Sequence, residues 1–164
     1  MKISFDLDDT LIGVPDNGQH EPNRVPIVLR LWFNEPLRLG ICSLANHLQE
    51  SGHQICIYTT SYRPIVYMRL LFWFYGIHLA EIINQDMHAR YCEKHNISPQ
   101  PSKNPKWFDI GLHVDDSEGV GLEADRYTFN TIIISPGDRN WTQKIIDKVA
   151  SASSSFGETM ERIQ

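Results

Sequence analysis

The sequence predicts an α/β three-layer sandwich, a mostly parallel five-stranded sheet with helices on both faces. Three observations lead there. Short apolar runs bounded by turn-type residues alternate along the chain with longer stretches of helical period. Three of those runs end in polar groups, at Asp6, at Thr59 and at the pair Asp115-Asp116, which would bring them to one edge of an open sheet. The length of 164 residues, with 41% hydrophobic and 21% charged side chains, fits one globular domain with a real core.

The first strand is KISFD (2–6), a short apolar run cut off by an acid. LRLGICSLANHLQESG (37–52) sets Leu37, Ile41, Leu44, Ala45 and Leu48 on one helical face, and Gly52 stops it. HQICIYT (53–59) is the second strand. RPIVYMRLLFWFYG (63–76) is a helix with Pro64 in its first turn and Gly76 at its end. It is apolar on most sides and is expected to be deeply covered, with Phe72-Trp73-Phe74-Tyr75 read as packing. EIIN (81–84) is a brief third strand, and QDMHARYCEKHNISPQPS (85–102) leaves room for one helix or a loop. IGLHVDD (110–116) and NTIIIS (130–135) are the fourth and fifth strands. NWTQKIIDKVA (140–150) places Trp141, Ile145, Ile146 and Val149 on one side of a closing helix. One core domain is thus expected over 1–150, followed by a Ser-rich polar tail over 151–164 that is open to fraying.

Charge and cysteine usage narrow the function classes. With 15 basic and 20 acidic residues the formal net charge is −5, which gives no global electrostatic case for nucleic acid. The first apolar run is broken by Asp6, so no signal-peptide core is expected. No segment reaches the roughly 18 apolar residues of a membrane span; PIVYMRLLFWFYGI (64–77) is too short and carries Arg69. Cys42, Cys56 and Cys92 are odd in number and unpatterned, which suits a reducing cytoplasm, with Cys56 in the core. His88, Cys92 and His95 make a weak metal spacing and are expected on a helix or loop surface.

The stretch KISFDLDDTLIG (2–13) gathers Asp6, Asp8 and Asp9 at the mouth of a buried strand. Unpaired carboxylates a few ångströms apart repel by roughly 1 kcal/mol in water and about 4 kcal/mol near a protein surface. A bound cation is the first candidate to offset that repulsion.

FDLDDTL resembles the first motif of the haloacid-dehalogenase-like (HAD) hydrolase superfamily, an apolar strand followed by Asp-x-Asp-x-Thr-Leu. ICIYTTS resembles the second, LHVDDS the fourth, and PSKNPKWFDIG offers Lys103 or Lys106 for the third, all in the right order. The resemblance implies a Rossmann-like core of the small phosphatase branch. Only a flap fits in 12–36 and about 18 residues remain in 85–102, so a minimal cap or none is expected. It further implies an Mg²⁺-dependent phosphomonoesterase, with Asp6 as nucleophile and Asp8 as general acid and then base. Asp6, the carbonyl of Asp8 and an acid of the Asp115-Asp116 pair would ligate Mg²⁺, Asp116 being favoured as the direct ligand. Thr59 would hydrogen-bond a phosphoryl oxygen, with Thr60 as its substitute, and Lys103 would neutralise the group in transfer. Backbone N–H groups at Leu7, Thr60 and Ser61 could form anion-binding turns. Arg24, Arg30, Arg63 and Arg90 are candidate phosphate contacts, Arg63 chief among them. Asp9 and Thr10 read as loop stabilisers, and His113 as a core histidine. An open site would admit a bulky phosphorylated substrate; the oligomeric state is not legible. A HAD-fold binding or regulatory module without turnover, and a phosphotransferase or phosphomutase, are the competing readings.

Overall fold

The structure, a computed structural model, describes residues 1–14 and 19–161. Its sheet holds five strands, β1 (Lys2–Phe5), β2 (Gln54–Tyr58), β3 (Leu79–Ile83), β4 (Ile110–Asp115) and β5 (Thr131–Ile133). The order is β3-β2-β1-β4-β5 and every pairing is parallel. The five helices are α1 (Ile41–Glu50), α2 (Ile65–Phe74), α3 (Gln85–His95), α4 (Glu118–Tyr127) and α5 (Trp141–Glu161). The expected Rossmann-like α/β sandwich is therefore present, with every strand parallel.

Period-2 alternation divides the strands between two faces. Ile3, Phe5, Ile57 and Ile82 point into the main core, packed with Ile41, Leu44 and Leu48 of α1, Met68, Leu71 and Phe72 of α2, and Trp141 and Ile145 of α5. Their neighbours Tyr58 and Ile83 point the other way, into a smaller cluster with Phe108, Ile110, Met87 and Tyr91. The connections account for the split: the chain moves from β1 outward to β3 through α1 and α2, then returns across the sheet through α3 to β4. A third cluster, Val120, Ala124 and Phe129, seats α4.

Several boundaries and one helix differ from expectation. The first helix begins at Ile41, since Gly40 takes φ 95°; Leu37 is buried but lies ahead of it. β3 begins at Leu79, two residues early, and β5 is only Thr131–Ile133. The helix in 85–102 forms as α3, capped by the Asn84 side chain, which accepts from the Met87 N–H at 3.0 Å. The α4 helix was not anticipated. Contrary to the expected deep cover, α2 buries Met68, Leu71 and Phe72 but leaves Val66 68% and Trp73 57% exposed. Of its aromatic run, Phe72 and Tyr75 are buried and Phe74 packs on Phe33, whereas Trp73 faces outward. His88 and Cys92 are buried rather than superficial, with the Tyr58 hydroxyl 2.7 Å from His88 Nδ1. The last helix runs to Glu161, through most of the segment expected as a tail; residues 162–164 lie outside the described residues.

Candidate active site

The centre of the site is the C-terminal end of β1, flanked by β2 and β4. The Asp6 N–H donates to the Val114 carbonyl at 2.8 Å, extending the β1–β4 ladder and placing Asp6 beside Asp115. Ser4 and Asp6 share one face of β1, as His113 and Asp115 share one face of β4. All four are buried. Between the acids stands Lys103, itself only 4% exposed, with Nζ 2.7 Å from Asp6 Oδ1 and 2.6 Å from Asp115 Oδ2. The first contact is an ion pair without hydrogen-bond alignment, and among the described residues Asp6 Oδ1 has no hydrogen-bond donor.

Asp115 is heavily engaged. Its Oδ2 also lies 2.9 Å from His113 Nε2, and its Oδ1 accepts from the Ser117 N–H at 2.9 Å. Burial disfavours the imidazolium and lowers the His113 pKa, so the neutral ring donates from Nε2 to the carboxylate. Its Nδ1 then accepts from the Ser4 hydroxyl at 2.8 Å. Burial lifts Asp6 to about 6, against the pull of Lys103. Burial would raise Asp115 too, but the His113 hydrogen bond and the Lys103 charge hold it at about 2. Asp116 is half-buried, pushed up by burial and steadied by the Thr10 hydroxyl, which donates to its Oδ1 at 3.0 Å. Thr10 therefore ties the loop after β1 to the end of β4.

Asp6, Asp115 and Asp116 each offer a carboxylate oxygen within 4.8 Å of the others. An all-oxygen, all-carboxylate set suits a hard divalent cation such as Mg²⁺. Asp115 is already bonded by Lys103, His113 and Ser117, whereas Asp116 accepts from Thr10, which leaves Asp116 the freer ligand.

The two candidate lysines separate cleanly. Lys103 lies between the acids, while Lys106 is exposed and donates to the Thr128 hydroxyl at 3.0 Å. Thr59 is buried and follows β2, and its hydroxyl oxygen accepts from the Ser61 N–H at 3.1 Å. Thr60 is exposed. Leu7 is buried, and its carbonyl accepts from the Leu11 and Ile12 N–H groups, closing the turn in which Asp9 takes φ 58°. Asp8 is half-exposed on the solvent side and pairs with Arg63 at 2.8 Å. Arg24 and Arg30 are turned to the backbone carbonyls of Tyr75 and Val25, and Arg90 is exposed on α3.

Sequence reasoning missed three supporting groups. Arg38 is 1% exposed; its guanidinium donates to the carbonyls of Thr10 (3.2 Å), Ser135 and Asp138 (both 2.8 Å) and lies 4.8 Å from the Trp141 ring. Glu35 accepts from Arg63, and the Tyr67 hydroxyl donates to Glu35. No local pattern marks any of them.

No protein-family profile matches the sequence, and no curated protein does. Solved structures do resemble it. One is a predicted HAD-like family hydrolase from Porphyromonas gingivalis, 13% identical, with a TM-score of 0.48 over 90% of this chain and 97% of that one. A predicted phosphatase from Clostridium acetobutylicum is 13% identical, with a TM-score of 0.45 over 85% and 87%. A chain of the Pnkp1/Rnl/Hen1 complex is 16% identical, with a TM-score of 0.50 over 84% of this chain; the match spans 46% of that chain. The last likeness speaks to fold alone. It agrees with a parallel sheet whose central strand and two neighbours bring Asp6, Thr59 and the Asp115-Asp116 pair to one edge, with Lys103 reaching in from the loop ahead of β4. The fold is a parallel, Rossmann-like α/β sandwich. Residues 19–36, the described part of the 12–36 interval read as a flap, carry one 3-10 turn at Ile27–Leu29. Among the described residues no helix is long and apolar enough to cross a membrane.

Proposed function

We propose that the chain is an Mg²⁺-dependent phosphomonoesterase that works through a phosphoryl group carried on Asp6. The observation that carries this reading is a buried carboxylate at the end of the central strand, held 2.7 Å from a buried lysine and within 4.8 Å of two further acids. Asp6, the backbone carbonyl of Asp8 and Asp116 would hold Mg²⁺, with Asp115 direct or one shell out. The ion supplies charge neutralisation of the acids and orients the phosphoryl group.

In the first step an Asp6 oxygen attacks phosphorus and the ester P–O bond breaks. Asp8 gives its proton to the departing oxygen. In the second step the Asp8 carboxylate takes a proton from water, whose oxygen attacks phosphorus as the acyl phosphate P–O bond breaks and Asp6 is released. Lys103 would offset charge on the transferring group, and the Thr59 hydroxyl, itself oriented by the Ser61 N–H, and the Thr60 N–H would donate to its oxygens. Without a folded cap, the site accepts phosphate at the end of a bulky molecule.

Steady-state hydrolysis of p-nitrophenyl phosphate with Mg²⁺ tests the reading. Asp6→Asn is expected to lose more than about 10²-fold in kcat while keeping its fold. Wild-type enzyme quenched in acid should carry one phosphoryl group by mass spectrometry, and Asp6→Asn none. Equal rates for the two proteins would overturn the proposal, and phosphoryl transfer to an added alcohol in preference to water would redirect it to a transferase.

A further inference from the structure

Asp8, the group assigned to protonate the leaving oxygen, is half-exposed and lies on a turn. A surface ion pair by itself orders such a side chain only weakly. The Asp8 pair is more than that. Arg63 Nη1 lies 2.8 and 2.9 Å from the two Asp8 oxygens and also donates to the Ser61 hydroxyl at 2.8 Å. The other edge of the same guanidinium is occupied. Its Nε and Nη2 donate to Glu35, with Nη2 2.6 Å from Oε1 and Nε 3.2 Å from both oxygens. Two engaged edges fix the plane of a rigid, five-donor fork, so its remaining direction points at Asp8.

Glu35 is itself held. The Tyr67 hydroxyl, from the first turn of α2, donates to Glu35 Oε2 at 2.7 Å. Two residues before Glu35, Phe33 stacks on the Tyr67 ring, with centroids 5.0 Å apart and planes within 8°. Behind Arg63, the Asn84 amide donates to its carbonyl at 3.2 Å and caps α3. The flap and the β2–α2 loop thus bear on the Arg63 guanidinium directly, α2 through Glu35, and the α3 cap on the Arg63 backbone.

We infer that Glu35 and Tyr67 are positioning residues for the reaction: they lock Arg63 so that it aims the Asp8 carboxyl at the leaving oxygen. This rests on the phosphomonoesterase reading. A general acid works only when its proton lies on line with the oxygen that departs. Misalignment therefore matters most for esters whose alkoxide cannot leave unprotonated. p-Nitrophenolate departs without a proton; the alkoxide of glycerol 2-phosphate does not.

The test compares kcat for wild type, Glu35→Gln and Tyr67→Phe on these two esters with Mg²⁺, alongside circular-dichroism melts. For Glu35→Gln the loss on glycerol 2-phosphate is expected to exceed the loss on p-nitrophenyl phosphate by about tenfold, part of the roughly 10²–10⁴ that general acid catalysis supplies. Tyr67→Phe removes one hydroxyl, keeps the stacked ring, and should move the same ratio in the same direction by about threefold, a loss of one hydrogen bond; it carries the test if Glu35→Gln fails to fold. Equal losses on both esters, or no loss in either variant, would overturn the inference while leaving the phosphatase reading intact. A wild-type protein inert to both esters would remove that reading and this inference with it.

Discussion

Lys103 stands where two buried carboxylates would otherwise face each other. Burial disfavours its charge, yet the fields of Asp6 and Asp115 together raise its pKa, so it stays an ammonium. Removing one partner of a buried ion pair leaves an uncompensated charge, at a cost of roughly 3–5 kcal/mol. Lys103→Met is expected to lose stability in that range by urea denaturation in the presence of a chelator; a change below about 1 kcal/mol would show that the acids are neutralised without it. The same substitution at Lys106, which is exposed and donates to the Thr128 hydroxyl, should leave stability within about 0.5 kcal/mol. Residues such as Asp6, Thr59 and the Asp115-Asp116 pair were legible in the sequence because each ends an apolar run, and the ends of parallel strands meet. Arg38, Glu35, Tyr67 and the His113 bonds were not. Most of their partners lie tens of residues away, as with Arg38 and the carbonyls of Ser135 and Asp138 or His113 and Ser4, and the local composition around them reads as ordinary helix, loop or core.

Helix α2 shows what apolarity alone leaves undecided. Its sequence is apolar nearly all round, which predicts cover on all sides, yet only Met68, Leu71 and Phe72 are buried along its length. Adjacent aromatic residues on it consequently have different weight. Phe72 is fully enclosed in the main core, and Phe72→Ala is expected to cost about 3–5 kcal/mol in urea denaturation. Trp73 is 57% exposed, and Trp73→Ser should change stability by no more than about 0.5 kcal/mol. Comparable losses at the two positions would mean that a surface now turned to solvent is covered in solution. Helix α4 escaped notice for the opposite reason. EGVGLEADRY carries two glycines and few apolar residues, so its helical period is faint, and Val120 and Ala124 alone of its residues are buried. The strands were easier, because a short run of Ile, Val and Leu between polar turns has few other uses in a chain of this length. Their ends moved by one or two residues where pairing with a neighbour, as at Leu79 opposite Ile55, decided the boundary.

At the scale of the molecule, the sheet order puts β1 in the middle, so the strand that leads into Asp6 has a paired neighbour on each side. Enclosure has a thermodynamic consequence. Burial lifts Asp6 to about 6, above the ordinary carboxylate value, so between about pH 4 and pH 6 the folded chain binds a proton that the unfolded chain releases. The Asp6 contribution to metal-free stability is thus present at the acid end of that window and is lost as pH rises through it. Asp115 runs the other way: its pKa of about 2 gives stability that is present above pH 4 and lost only in stronger acid. Cation binding competes with the proton on Asp6, since a protonated carboxyl is a poor ligand. The stabilisation that saturating Mg²⁺ gives the wild-type chain should accordingly grow from about pH 5 to about pH 7.5, following the ionisation of Asp6. Asp6→Asn has no such proton to displace, and its smaller response to Mg²⁺ should be flat over the same range. Thermal melts with and without Mg²⁺ at a series of pH values measure both. A wild-type response independent of pH, or one that persists unchanged in Asp6→Asn, would place the cation away from the end of the central strand.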